Sequence, residues 1–352
     1  MKGRSCKVSA LILTTVLSLV WLAGGCGQPA TGPAQGGAKP QTITVTDQLG
    51  RQVELPAKIE KVAAFHHFGA KLIYAMGQQD KLVHQALLGV EAKAMAKVDP
   101  KFAALPNLEA EGHDVNIESV VALGPQVAFV YSSFDQKELE ALENAGIKVI
   151  GLRGETLEES YEAARLVGKV LGCEDKAEAY IKYCQDLVKM VRDRLADLPA
   201  DQRPKVLCAG PKSIFTAATG EMLQSTMIEL AGGKNVAAEL KGFWASVSPE
   251  QIVQWNPDYI LLGSSLGKVS VGDALKNPGL QTVKAVKEGK IYAIPSNIGW
   301  WDFPAPQCVL GIVWMAKTLH PDRFRDVDLT KMADDYYSRF CGYSFTALGG
   351  KL

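Results

Sequence analysis

Net charge is what this sequence lacks first. Lysine and arginine number 38, aspartate and glutamate 38, in a chain of 352 residues. No surplus of positive charge exists to draw the chain onto nucleic acid, so no nucleic-acid partner is expected. Motifs for metal or nucleotide chemistry are missing too. There is no CxxC or other zinc spacing, no H-E-x-x-H, no P-loop and no G-x-G-x-x-G. That excludes a zinc module and leaves any ATP hydrolysis to a partner. The apolar run Val8–Ala23 spans about 16 residues, whereas a membrane-crossing helix needs about 20. What remains is 47% hydrophobic and 22% charged, an ordinary globular balance. The length suits two lobes of roughly 130–150 residues, each with its own core.

Lys2, Arg4 and Lys7 precede the apolar run, and small residues Ala23, Gly24 and Gly25 follow it. That order is the secretory signal pattern. With Cys26 next, the segment resembles the bacterial lipobox, with Ala23 where Leu is usual and Leu22 one position earlier. The expectation is a signal peptide over 1–25 and lipid on Cys26, anchoring the protein to a membrane face outside the cytoplasm. Removing 1–25 takes away three positive charges and no negative ones, leaving 35 basic and 38 acidic residues, a net of −3. Residues 26–41 are rich in Gly, Pro, Ala and Gln and read as a flexible tether. Cys173, Cys184, Cys208, Cys308 and Cys341 remain beyond the anchor. An odd number cannot all pair internally, and small buried apolar side chains are the simpler expectation.

From residue 42 strands alternate with helices. A hairpin is expected around Asp47-Gln48-Leu49-Gly50, and strands at 61–65, 127–131, 148–151, 205–209, 259–262 and 290–294. Thr156 to Glu159 forms a capping box that opens a helix. Glu174 to Leu198 has no Gly or Pro and reads as one long helix near mid-chain. The rhythm argues for parallel sheets with helices outside. It divides the chain into an N-terminal α/β lobe over 42–172, a connecting helix over 173–200 and a C-terminal α/β lobe over 201–345.

The halves share a pattern. Residues 115–133 align without gaps on 247–265, at a constant offset of 132. Each copy has a capping residue (Asn116, Ser248), a glutamate in the first helical turn (Glu118, Glu250), a proline (Pro125, Pro257), an apolar strand and Ser-Ser. In the second, Pro249 takes the first helical position and Gln251 completes a capping box. A carboxylate there is stabilised by the helix dipole. Two matched copies also suit paired anionic pegs on one outer face.

The segment Thr42 to Pro56 followed by Lys61 to Phe65, then Asn116-Ile-Glu118, Ser248-Pro-Glu-Gln251, Asn256-Pro-Asp-Tyr-Ile260, Glu229 to Val236 and Leu310 to Lys317, resembles the periplasmic solute-binding family for ferric siderophores, cobalamin and haem. The likeness covers roughly 42–340. It implies two Rossmann-like lobes joined by a single long helix, little hinge motion and a ligand cleft between lobes. It also implies delivery to an ABC permease dimer with its ATPase subunits, and docking of Glu118 and Glu250 onto arginines of the two permease subunits. The cargo expected is an iron-siderophore or corrinoid-type metal chelate, with haem the alternative. No intrinsic cofactor is implied.

In open α/β sheets, ligands bind beyond the carboxyl ends of strands. That rule selects His66, His67 and Phe68, Tyr131, Arg153, Phe215 and Met222, Trp244, and Trp300 with Trp301. Aromatic rings bury much area at little rotamer cost, and Arg153 suits a carboxylate or phosphate. His66 and His67 are candidates to meet a metal through a chelated ligand. Trp300 and Trp301 are adjacent, so only one is expected to face the cleft squarely. A distant alternative is a secreted serine hydrolase. Gly263-Ser-Ser265-Leu-Gly267 fits G-x-S-x-G, with Asp302 and His320 following in order. The glycine-interrupted segment after Ser265 is a poor match to the helix that motif requires.

Overall fold

The computed structural model describes residues 41–87, 89–108, 117–210, 213–263, 270–295 and 297–352. Residues 1–40, which hold the expected signal peptide, Cys26 and nearly all of the expected tether, lie outside them, as do Asn116, Ser264 and Ser265. Among the described residues no helix is long and apolar enough to cross a membrane.

The first lobe opens with an antiparallel hairpin, β1 (Thr42–Thr46) and β2 (Gln52–Pro56). Asp47 closes its turn, accepting from the backbone N–H groups of Leu49 at 3.0 Å and Arg51 at 2.9 Å. It also accepts from Gly151 N–H at 3.0 Å, which ties the hairpin to the sheet. That sheet is parallel, in the order β3 (Val62–Ala64), β4 (Val127–Tyr131), β5 (Lys148–Leu152). Around it lie α1 (His67–Ala75), α2 (Gly89–Val98), α3 (Pro100–Ala104), α4 (Ile117–Leu123), α5 (Gln136–Asn144) and α6 (Leu157–Leu171). The Thr156–Glu159 capping box opens α6, and Gly172 stops it at a φ of +66°.

The connecting helix is α7 (Glu174–Arg194), 21 residues and about 31 Å long. Glu174 and Asp175 stand at its start, Arg192 and Arg194 in its last turn, each sign matching the helix dipole. It ends four residues before the Leu198 expected. Pro199 disfavours helical backbone at the residue before it, and Leu198 N–H turns back to the Leu195 carbonyl. Ala177, Tyr180, Ile181, Cys184, Val188 and Val191 form its buried stripe at helical spacing.

The second lobe holds β6 (Lys205–Ala209), β7 (Thr216–Ala218), β8 (Lys234–Asn235), β9 (Trp244–Ser246), β10 (Tyr259–Leu262) and β11 (Ile291–Ala293). Their order is β11-β10-β6-β7-β9, with β8 also beside β6. Here the expected parallel pattern is corrected at one strand: β7 runs antiparallel to both of its neighbours, β6 and β9. Too few residues separate β6 from β7 for a crossover, which takes a dozen or more. Its helices are α8 (Leu223–Leu230), α9 (Pro249–Trp255), α10 (Val271–Lys276), α11 (Lys284–Lys287), α12 (Cys308–Leu319) and α13 (Leu329–Cys341).

The repeat is physical. Helix α9 and strand β10 begin 132 residues after α4 and β4, and each strand is central to its parallel set. One capping detail differs. Ser248 Oγ accepts from Gln251 N–H at 3.2 Å, but the Gln251 amide donates to Gln254 Oε1 at 3.3 Å instead of returning to the cap.

One apolar cluster runs from Val45 to Leu348 through both lobes, α7 and α12. Separate clusters cover the far face of each sheet. Apart from half-buried Lys317 and Thr318, α12 is buried along its whole length, as its almost uninterrupted apolar sequence requires. A core continuous between lobes resists hinge opening. The five cysteines among the described residues are free thiols, Cys184, Cys208 and Cys308 buried among apolar neighbours.

Candidate functional site

Two polypeptide stretches meet between the lobes: the start of α1 after β3, and the loop after β11. Between them is a cavity of about 370 Å³ lined by Phe65, His66, His67, Lys71, Glu91 and Trp300, among others. His66 caps α1. Its Nδ1 accepts from Phe68 N–H at 3.2 Å, which leaves the ring proton on Nε2. The His66 ring stacks on Tyr131 at 4.4 Å between centroids and 22° between planes, and lies 4.0 Å from the His67 ring. From the other lobe, Phe303 approaches His67 at 5.1 Å and Trp300 at 5.9 Å, edge-on.

Burial pushes the His66 imidazolium down to about 4, with help from the nearby Lys71 charge. His67 is held well below its usual value by burial, then by His66 and Lys71. Both rings are neutral at physiological pH. His67 Nε2 is buried and has no hydrogen-bond partner among the described residues. Beneath the rings Lys71 Nζ pairs with Glu91 Oε2 at 2.8 Å.

The depressed histidines set a pH dependence. A group whose folded pKa is lowered binds fewer protons folded than unfolded between the two values, so stability falls as pH falls through that window. His84, buried, with Nε2 accepting from the Ala64 N–H at 3.2 Å, is also pushed down to about 4 by burial. Stability should therefore decline between pH 7 and 5, above the main carboxylate range, by up to about 1.4 kcal/mol per pH unit for each such histidine. Urea midpoints that stay flat over that window would contradict the burial assigned to these rings.

Other expected contact residues sit elsewhere. Phe68 is fully buried under α1, its ring 5.7 Å from Tyr131. Tyr131 is itself largely buried, and its hydroxyl donates to Glu155 Oε1 at 2.7 Å. Arg153 is exposed and pairs with Glu159 at 3.3 Å, outside the cavity lining. Phe215 packs on the second-lobe cluster, Met222 is buried at the start of α8, and Trp244 is half-buried against the main core. Of the adjacent tryptophans, Trp300 stands at the cavity and Trp301 is fully buried. Expecting ligand contact from Phe68 and Trp301 is thus corrected. Phe68 turns into the core beside half-buried His67, and Trp301 beside exposed Trp300.

Trp301 fixes the loop that carries Trp300. Its Nε1 donates to Tyr337 Oη at 3.4 Å, and Tyr337 donates to the Ile298 carbonyl at 2.6 Å. Asn297 bonds the chain end at Gly349 O and Lys351 N–H. Trp301→Ala should cost about 3–5 kcal/mol of stability. It should also weaken ligand binding by freeing Trp300; a variant with wild-type denaturation midpoint would refute the first part.

Lys71 and Glu91 were not foreseen. A single lysine inside the apolar stretch Phe68 to Met76 is the signal that points to Lys71, since a buried ammonium needs a partner. Glu118 and Glu250 are exposed in the first turns of α4 and α9. The Ser248 hydroxyl lowers the Glu250 carboxyl below its usual range. For the hydrolase alternative, Ser265 lies outside the described residues. Asp302 is buried, and His320 Nε2 lies 3.2 Å from the Gly232 carbonyl, an interaction that anchors a loop. No cluster of three metal-ligating side chains occurs among the described residues.

Two α/β lobes, one connecting helix and an aromatic cavity between lobes define a solute-binding protein of the ABC-transporter class. The chain belongs to the Periplasmic binding protein family, whose pattern matches residues 62–298. It is 30% identical over 326 residues to the molybdate-binding protein MolA of Haemophilus influenzae, covering 86% of this chain and 91% of that protein. The molybdate-bound structure of MolA superposes with a TM-score of 0.73 at 27% identity, over 86% of this chain and 98% of MolA. A periplasmic solute-binding protein from Veillonella parvula gives 0.74 at 27% identity, over 89% and 97%. The substrate-binding lipoprotein YvrC of Bacillus subtilis is 24% identical over 93% of this chain and all of its own length. These relatives are solute carriers, and the class acts outside the cytoplasm with permease partners.

Proposed function

We propose that this chain captures a compact, metal-bearing anion and hands it to an ABC permease, with a tetrahedral oxyanion of the molybdate type as the best-fitting cargo. The observation that carries this reading is His67 Nε2, a buried nitrogen without a partner, beside the His66 Nε2–H in a cavity of about 370 Å³. Two neutral imidazoles can each present an N–H to oxyanion oxygens, and the α1 N-terminus adds its positive dipole end. That volume is at the small end for ligand sites, which favours a compact solute over a corrinoid or haem macrocycle. MolA, the relative described above, is named for molybdate, in accord with this size and chemistry.

A second reading rests on the same nitrogen. If His67 carries its proton on Nδ1, Nε2 is free to complete the coordination of a small metal chelate such as a ferric siderophore. In both readings Cys26 carries the lipid anchor, and Glu118 and Glu250 meet the two permease subunits. Calorimetric titration of the protein with molybdate, tungstate, sulfate, a ferric siderophore, cobalamin and haem separates the readings. Micromolar or tighter binding of the metal oxyanions is expected; binding of a macrocycle alone would overturn the proposal.

A further inference from the structure

The Lys71–Glu91 pair joins α1 to α2 at the cavity, at 2.8 Å. Lys71 sits four residues after His67, on the same face of α1, and Glu91 stands in the first turn of α2. Their side chains are 8% and 10% exposed, and both line the cavity. Burying two charges costs several kcal/mol per ion, and a hydrophobic pair of similar volume often serves the fold as well. The pair is held close by the opposite lobe. Gly299 has a φ of +70°, and a Cβ there would come within 3.0 Å of Lys71 Nζ and 3.2 Å of Glu91 Oε2. A bare backbone thus presses on the ion pair from the loop that carries Trp300. Because both imidazoles are neutral, these two groups are the ionised side chains among the cavity residues named above.

We infer that Lys71 and Glu91 select the ligand by charge: the ammonium attracts an anion into the cavity, and the carboxylate beside it attenuates that attraction. The inference rests on the proposed anionic cargo for its direction. With the pair intact the lining sums to zero, so a polyanion too large to sit against Lys71 gains little from entering. Removing the carboxylate makes the lining positive, and removing the ammonium makes it negative. At low local dielectric one such charge changes the affinity of an anion by about tenfold or more.

The test uses Glu91→Gln, Lys71→Gln and the double variant, titrated with molybdate, sulfate and a ferric siderophore of known charge. Glu91→Gln should bind molybdate about tenfold tighter or better, and Lys71→Gln about tenfold weaker or worse. The double variant, which leaves no orphan charge in the interior, should return toward the wild-type preference. It also serves as the folded control if a single variant melts early. Single variants that shift affinity in the same direction, or by less than twofold, would overturn charge selection while leaving an oxyanion cargo standing. If the wild type ignores oxyanions and takes the siderophore, the cargo reading fails. The opposed shifts of the two single variants, measured on that siderophore, then decide charge selection by themselves. Absence of binding by all forms would overturn both.

Discussion

Replacing His67 by Phe should abolish most ligand affinity while leaving the unliganded protein as stable as before, or more so. The argument is one of opposed signs. A buried ring nitrogen without a partner costs about 1–3 kcal/mol relative to a satisfied one. His67 Nε2 is such an atom, in a cluster that already holds Phe303 and Trp300. A phenyl ring suits those neighbours and removes the cost, so apo stability should rise by about 1–2 kcal/mol. The ligand loses a bond to a buried polar group, worth a drop in affinity of about 30- to 100-fold. A purely structural histidine would lose stability on replacement and leave affinity alone. Denaturant midpoints and titrations on the same preparation distinguish the two outcomes.

Reversing both Glu118 and Glu250 should do the opposite: ligand affinity stays at its wild-type value while uptake falls. Both carboxylates are exposed in the first turns of helices related by the 132-residue repeat, away from the residues that line the cavity. Rim charges steer association more than they stabilise a fold. On the proposed docking role, Glu118→Lys with Glu250→Lys would replace attraction for a basic permease surface by repulsion on both lobes, and transport should drop about tenfold or more. Either single reversal should have a smaller effect, because one contact remains. Transport at the wild-type rate by the double variant would remove these residues from docking. Loss of ligand affinity would show instead that they act on the cleft.

Much of the fold was legible because its signals are local. The Thr156 capping box, the Asp47 turn and the Gly- and Pro-free run of α7 each depend on residues close in sequence; the first two form as read, and α7 ends four residues early. The repeat was legible because a helix followed by a buried strand writes the same pattern twice. What escaped was set by distant contacts. The antiparallel β7 follows from the short connection after β6, which a β-α rhythm conceals. Helix α2, with alternating small residues and lysines, has weak periodicity, so Glu91 went unnoticed although it pairs with Lys71. At the site, the strand-end rule selected His66, His67 and Trp300, and the structure brings these three together. It could not tell Trp300 from Trp301, because one residue's shift decides which of two neighbours faces the core. Arg153 has the right chemistry for an anion but spends it on Glu159.

The central claim is that the cleft between the lobes holds a compact metal-bearing ligand against His66 and His67. Native mass spectrometry with elemental analysis of the protein, purified without denaturation from cells supplied with molybdate and iron, tests it most directly. The account predicts one bound solute per chain containing a metal, of a mass that fits a cavity of about 370 Å³, and its loss in His67→Phe. A metal-free solute, or one retained in full by His67→Phe, would contradict it.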